Sequence, residues 1–346
     1  MVNVAEAGRR IYGRATHRIA SLPILALNVH SACNCRCVMC DIWKANAEKR
    51  EISSAELDRH LDDLRALRVQ RVMLTGGEPL LHSNLWALCD RLRGHGVAVT
   101  LVTTGLLIAQ HVDAIAMTID EVVVSIDGDA AVHDDIRRVR GAFQRIAHGI
   151  GLLNNYASRP RTIARCVVQR HNCARLVQTV QAVADARLDQ LSFLAADVSS
   201  PAFNRPQPWP PDRRAEVALS REQLPLLATA IRAVEQQCGD YLEKGFIAGG
   251  SASLWRIHDY YAALNGLSEF PRVRCNAPWV SAVMEPGGGL RPCFFHPRYA
   301  ANADHGLTTA LNAPQSVAFR RSLRVRENET CRRCVCTLSL PPWANA

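Results

Sequence analysis

No stretch of the sequence stays apolar for the roughly 20 residues that a membrane-spanning helix needs. The longest candidate, LPILALNV at 22–29, is interrupted and leads straight into a group of cysteines, so no span is expected and the chain reads as cytoplasmic. Also missing is any basic run interleaved with aromatic residues. Aromatics are only 6% of the chain, and the formal net charge of +9 comes from scattered side chains with short pairs such as Arg9-Arg10 and Arg137-Arg138. A solvated surface accounts for that excess, and nucleic acid is not expected as a partner. Nor is there a disulfide framework: the 13 cysteines are odd in number and unevenly spaced, which leaves metal binding as their leading use.

Short β-rich runs alternate with helical patterns along the chain. The runs are ILALNV (24–29), RVMLT (71–75), VAVTLVT (97–103), EVVVSI (121–126), TIARCVV (162–168) and QLSFLA (190–195), each a strand by length and β-branched content. Between them, Ser53 with Glu56 forms a capping box ahead of Leu57, Leu61 and Leu64, which repeat at helical spacing toward Leu67. Leu85, Leu88, Cys89 and Leu92 do the same before Gly94 and Gly96. Six strand-then-helix units predict a parallel sheet covered by helices, either open and doubly wound or curved into a partial barrel. Ligands in such folds sit at the C-terminal strand ends, where the unusual residues fall.

Cys33, Cys37 and Cys40 follow the first strand at C-x3-C-x2-C spacing. Three thiolates on one tight loop hold three irons of a [4Fe–4S] cluster and leave the fourth open, whereas a closed zinc site takes four ligands. Cys35 is a rival fourth ligand, expected to point away. The second strand ends in LTGGEPLLH (74–82), where Gly76 and Gly77 permit close backbone approach to a ligand, Glu78 offers an acceptor for an ammonium group and Pro79 stiffens the exit; a plain glycine-rich turn is the alternative. Five cysteines lie in the last third: Cys275 and Cys293 at C-x17-C spacing, then Cys331, Cys334 and Cys336 in CRRCVC. Cys89 and Cys166 read as core residues, and Cys173 and Cys238 have no partner pattern. His30 and His82 border the strand-end face and His296 follows the cysteine at 293, although a lone histidine is more often structural. Asp197 and Ser199, after the sixth strand, are candidates for substrate contact or for an ordered loop.

Together, CNCRCVMC and LTGGEPLLH resemble the radical S-adenosylmethionine (SAM) enzymes. The resemblance implies that Cys33, Cys37 and Cys40 ligate the SAM-binding [4Fe–4S] cluster and that Gly76, Gly77 and Glu78 receive the methionyl amine. VSIDGDAAVHDDIRRVRGAF (124–143) is similar to the fourth-strand region of the branch containing coenzyme and peptide maturases, which puts Ser125 and Asp127 near the SAM ribose or substrate and Arg137 or Arg140 near its carboxylate. VVQRHN (167–172) is similar to the fifth-strand segment, with Gln169 toward the adenosine. The family usually has an aromatic residue where Met39 stands, and its third strand usually ends Thr-Asn-Gly where this chain reads Thr103-Thr104-Gly105. Thr103 is therefore a cofactor contact by position. The implied fold is an α/β partial (β/α)6 TIM-like barrel over 22–240, after an N-terminal extension at 1–21. Residues 241–346 resemble a small α+β twitch domain, a short relative of the SPASM domain, with Cys275, Cys293, Cys331 and Cys334 holding an auxiliary [4Fe–4S] cluster and Cys336 as competing ligand; a structural zinc ribbon is the alternative. Trp279 is expected to pack around that cluster.

The resemblance implies one-electron reduction of bound SAM to methionine and a 5′-deoxyadenosyl radical, which takes a hydrogen atom from an unactivated carbon. A flavodoxin- or ferredoxin-type reductant would supply the electron. The auxiliary cluster would accept one from the substrate radical, giving net oxidation of a small natural-product or cofactor precursor. The rival substrate is a ribosomally made peptide, crosslinked by thioether or carbon–carbon bonds. Such enzymes often carry an N-terminal peptide-recognition module, and about twenty residues precede the first strand here. A molybdopterin-precursor enzyme is disfavoured because the chain ends PPWANA without that family's glycine pair. From another class, a nonenzymatic zinc- or RNA-binding protein would also use cysteines and positive charge. Anaerobic reconstitution separates these readings: about eight irons with matching sulfide are expected for two clusters, while colourless protein carrying zinc would identify the binding module.

Overall fold

Val, Ile and Leu runs too short for stable helices, each closed by polar residues, assemble side by side in a computed structural model that describes residues 4–299 and 301–346. The strands are β1 (Ile24–His30), β2 (Arg71–Gly76), β3 (Ala98–Thr103), β4 (Glu121–Ser125), β5 (Arg161–Val168) and β6 (Gln190–Ala195), all parallel and in chain order. Their register aligns Leu27, Leu74, Leu101, Val122 and Thr162 in one transverse row, every member fully buried. Burying each aliphatic side chain of such a row contributes roughly 1.5–3 kcal/mol. In β2, β5 and β6 the alternate residues are only half-buried, so one face carries the core and the other lines open space.

Helices return the chain between strands. The N-terminal α1 (Val4–Thr16) precedes the sheet; α2 (Ser54–Asp58) and α3 (Leu61–Ala66) follow β1; α4 (Leu85–Gly94) follows β2; α5 (Val112–Thr118) follows β3. After β4 come α6 (Ala130–Arg137) and α7 (Ala142–Leu153), after β5 comes α8 (Leu176–Asp185), and after β6 come α9 (Pro211–Ala215), α10 (Leu224–Gln237), α11 (Gly239–Glu243) and α12 (Gly250–Leu264). Ser53 Oγ accepts the Glu56 N–H at 3.1 Å, as the capping pattern predicts. The single helix expected beyond it is broken at Arg59-His60, while Leu57, His60 and Leu64, at i, i+3 and i+7 spacing, are all buried.

Two further strands extend the sheet past β1. β7 (Ser281–Met284) runs parallel to β1, pairing Ile24 with Ser281 through Leu27 with Met284, and β8 (Leu290–Arg291) pairs antiparallel to β7. Among the described residues the sheet therefore has eight strands, ordered β6-β5-β4-β3-β2-β1-β7-β8. The expected six-stranded sheet is complete, but the C-terminal strands are continuous with it. The division expected at 240/241 falls inside α11, while α12 beyond it still packs on β6: Tyr261 in α12 donates to the Val168 carbonyl at 2.6 Å and accepts the Ala196 N–H at 3.0 Å.

The expected N-terminal extension also has a defined seat. Arg10 on α1 donates to the carbonyls of Pro341 and Pro342 at 3.5 and 3.4 Å and to that of Ala344 at 2.5 Å, fastening the helix to the C-terminal segment. Trp279 donates its Nε1 proton toward His17 Nδ1 at 3.3 Å and lies under the Arg14 guanidinium.

Two glycine substitutions should change stability in opposite directions. A Cβ on Gly77 would sit 2.0 Å from the Ala32 carbonyl oxygen, so Gly77→Ala should destabilise by on the order of 3 kcal/mol through overpacking against backbone. Gly151, in α7 with nothing near its Cβ position, should gain roughly 0.5–1 kcal/mol as Gly151→Ala. Urea melts of both variants check the pair.

Candidate functional site

The chain leaves β1 through a loop pinned on three sides. From β2, the Gly77 N–H donates to the His30 carbonyl at 2.7 Å and the Glu78 N–H to the Ala32 carbonyl at 2.9 Å. Gly76 has φ +117°, and a Cβ there would meet the His30 carbonyl oxygen at 2.5 Å. The glycine pair thus permits a close approach to the cysteine loop itself. From beyond the loop, Asn46 pairs with the Cys33 backbone in both directions, accepting its N–H and donating to its carbonyl at 2.9 Å each. From α6, the carbonyls of Arg137 and Ile136 accept the N–H groups of Arg36 and Val38 at 3.2 and 3.0 Å.

Each of the three spaced sulfurs faces an N–H. The Cys35 backbone N–H addresses Cys33, the Ile42 N–H lies 3.4 Å from Cys40 Sγ, and Arg137 Nη1 lies 3.5 Å from Cys37 Sγ. Donors aimed at sulfur suit thiolate ligands of an iron–sulfur cluster. Burial pushes the Cys33 and Cys40 thiols up to about 12. A hydrogen bond from the Cys35 thiol holds Cys37 down at about 6, against burial and with help from Arg137. Cys35 is therefore not turned away as expected; it is buried against Cys37 and its own thiol is raised by that bond. Among the described residues no three Cys, His, Asp or Glu side chains converge as one metal ion requires. In a cluster each thiolate takes a different iron, so the three sulfurs need not converge on one point.

Around the loop, the strand ends carry buried polar groups. Glu78 is fully buried; its carboxylate accepts from Thr103 Oγ1 at 2.7 Å, from the Thr104 N–H at 2.6 Å and from the Leu80 N–H at 3.0 Å, tying β2 to β3. Burial raises its carboxyl above the usual range while those bonds oppose the shift. Thr104 Oγ1 donates to Asn34 in the loop at 2.9 Å. Asp127 and Arg137, expected to face SAM separately, face each other: Arg137 Nη2 lies 2.6 Å from Asp127 Oδ2, and Asp127 Oδ1 accepts the Val167 N–H at 2.9 Å. Arg140 is exposed.

Other predicted contacts are not used up by neighbouring side chains. Gln169 is fully buried, and neither its amide oxygen nor its nitrogen has a partner among the described residues. Ser125 is half-buried at the end of β4. A cavity of about 340 Å³ opens beside Thr75, Gly76 and Gly77 and is also lined by Asn28, whose buried Oδ1 lacks a partner among the described residues. These orphaned amides fit a polar cofactor such as SAM. His30 and His82 are structural: His30 Nε2 lies 3.2 Å from Glu51, and His82 Nε2 meets the Ile52 carbonyl at 2.9 Å. Asp197 binds Arg205 and accepts from Ser200 Oγ at 2.6 Å, so it orders its own loop.

The C-terminal cysteines form a second group. Burial pushes Cys331 up to about 12 and Cys293 up to about 11, with further upward contributions from the neighbouring Cys275 in both cases. Burial also raises Cys334 and Cys336, and both sense Cys275. The Ala277 N–H lies 3.5 Å from Cys275 Sγ, and the Phe295 and His296 N–H groups address Cys293. His296 places Nε2 3.2 Å from Cys331 Sγ. Spacing alone did not single out Asn28, Asn34 or Asn46; Asn34 lies within the cysteine run and Asn46 six residues beyond it, and that proximity was the only signal.

Residues 27–182 match the family described as the Radical SAM superfamily. Pre-heme d1 synthase of Dinoroseobacter shibae is 33% identical over 131 residues, 37% of this chain and 32% of its own. Mycofactocin maturase MftC of Mycolicibacterium smegmatis is 32% identical over 147 residues, 42% of this chain and 37% of its own. The chain thus spans about a third of the length of these curated relatives. Among solved structures, Streptococcus suis SuiB bound to S-adenosylmethionine shares the fold with TM-score 0.65 at 15% identity, covering 95% of this chain and 75% of that one. The structure of anSMEcpe with bound AdoMet gives 0.65 at 16%, covering 90% and 83%.

Asn46 offers a selective test of the loop. Asn46→Ala removes both bonds to the Cys33 backbone, a loss of about 1–3 kcal/mol locally. Iron reconstituted into this variant should be lost to a chelator faster than from the wild-type chain.

Proposed function

From a chain whose residues 27–182 belong to the Radical SAM superfamily, we propose an enzyme that generates a 5′-deoxyadenosyl radical and uses it to oxidise a small cofactor or natural-product precursor. One observation carries the reading: Cys33, Cys37 and Cys40 each present a sulfur with an N–H donor, on a loop locked to the ends of β1 and β2. A three-cysteine cluster with SAM on its open iron supplies the radical chemistry when bound. The chain's part is to place and enclose it. Gly76 and Gly77 present backbone to the cavity where the methionyl end of SAM would lie, with Asn28 on the same wall, and Gln169 offers its unpaired amide to the adenosine. Glu78 and Thr103 support this wall by fixing β2 to β3.

The C-terminal group, Cys275, Cys293, Cys331 and Cys334, fits an auxiliary cluster on the same reasoning, with donors on Cys275 and Cys293. Placed there, it would take the electron left on the substrate once a hydrogen atom is removed, the proton leaving to solvent, so that the product is two electrons more oxidised. Pre-heme d1 synthase among the relatives favours a cofactor precursor. A second reading, crosslinking of a ribosomally made peptide, is favoured by the mycofactocin maturase and by SuiB, which was also solved with its precursor peptide SuiA.

Dithionite-reduced protein should convert SAM to 5′-deoxyadenosine and methionine. Cys33→Ala, Cys37→Ala or Cys40→Ala should abolish this while the C-terminal iron stays; cleavage at the normal rate in these variants would sink the assignment. Cys275→Ala with Cys293→Ala should lower iron by about four atoms per chain and leave SAM cleavage measurable.

A further inference from the structure

Arg137 makes a bridge that the site described so far does not use. Its Nη1 lies 3.5 Å from Cys37 Sγ and its Nη2 lies 2.6 Å from Asp127 Oδ2, while its Nε has no acceptor among the described residues. Arg137 is only 7% exposed and Asp127 is fully buried. Its place is fixed by backbone as well, because the Arg137 and Ile136 carbonyls hold the cysteine loop through Arg36 and Val38. A guanidinium so held cannot swing to another partner without breaking a buried ion pair.

We propose that Arg137, oriented by Asp127, sets the reduction potential of the cluster ligated through Cys37. Reduction adds one electron, and therefore one negative charge, to a cluster bound by thiolates. A fixed cation donating to one of those sulfurs stabilises the reduced form more than the oxidised form and raises the potential. The buried carboxylate behind it acts in the opposite sense, and its service is to hold the guanidinium in the plane that reaches Cys37. Arg137 is a positioning residue in this scheme and not a ligand of SAM. The inference rests on the cluster assignment proposed above.

The test is an EPR-monitored redox titration without SAM, in the full chain and in a Cys275→Ala/Cys293→Ala background where one cluster contributes. Arg137→Gln should shift the one-electron equilibrium at least tenfold toward the oxidised cluster, a fall of 59 mV or more. Arg137→Lys, which keeps the cation but loses the fork, should fall between Gln and wild type. Asp127→Asn removes a negative charge and should move the potential the other way. A merely structural role would lower cluster content in all three without these opposed shifts in the clusters that remain. An unchanged potential in Arg137→Gln overturns the inference. So does a loss of SAM affinity at unchanged potential, which would make Arg137 a SAM ligand. A wild-type chain with no reducible cluster would instead overturn the radical reading on which the inference stands.

Discussion

The site hangs on one close contact, where the glycine pair at the end of β2 lies against the backbone of the loop leaving β1. No side chain fits between them, since a Cβ at Gly76 or Gly77 would stand 2.5 or 2.0 Å from a carbonyl oxygen. This contact lets two hydrogen bonds continue past the last strand residues and carry the order of the sheet into the cysteine loop. From there the order spreads. Glu78, the next residue, is drawn inside and takes up Thr103 and Thr104, and Thr104 in turn holds Asn34. Rigid strands thus position three cysteines that would otherwise sit on a free loop.

Such a site concentrates buried charge, which is costly unless each group is paired. The pairing here is nearly complete and has one direction: backbone N–H groups hold Asp127 and Glu78, Asp127 holds Arg137, and Arg137 reaches a cysteine sulfur. What stays unpaired is also informative. Asn28 and Gln169 keep buried amide atoms without partners among the described residues, and Asn28 does so on the cavity wall, where a polar cofactor would supply one.

Much of this was legible beforehand, for definite reasons. Parallel strands are buried and read as short Val/Ile/Leu runs, so all six appear in the sequence to within a residue or two. Cysteine spacing, the glycine pair and Glu78 stand out because few folds need them together. Other features were hidden. Leu57, Leu61 and Leu64 keep helical spacing through the break at Arg59-His60, because periodicity does not register a change of axis. β7 and β8 have four and two residues, too short for a pattern to show.

The sequence by itself determined the fold class, the order of the strands and the placing of Cys33, Cys37 and Cys40 together after β1, because these follow from local patterning and from residues fixed on a single loop. Only the tertiary structure decided what each polar residue faces. Ten residues of sequence separate Asp127 from Arg137, and a hundred separate Arg137 from Cys37, yet the sheet and α6 bring the three into one buried bridge. Cys35 rests against Cys37, Trp279 serves the N-terminal helix, and the C-terminal strands join the main sheet at β1. Such choices depend on distances between elements remote in the chain, and no spacing along the sequence encodes them.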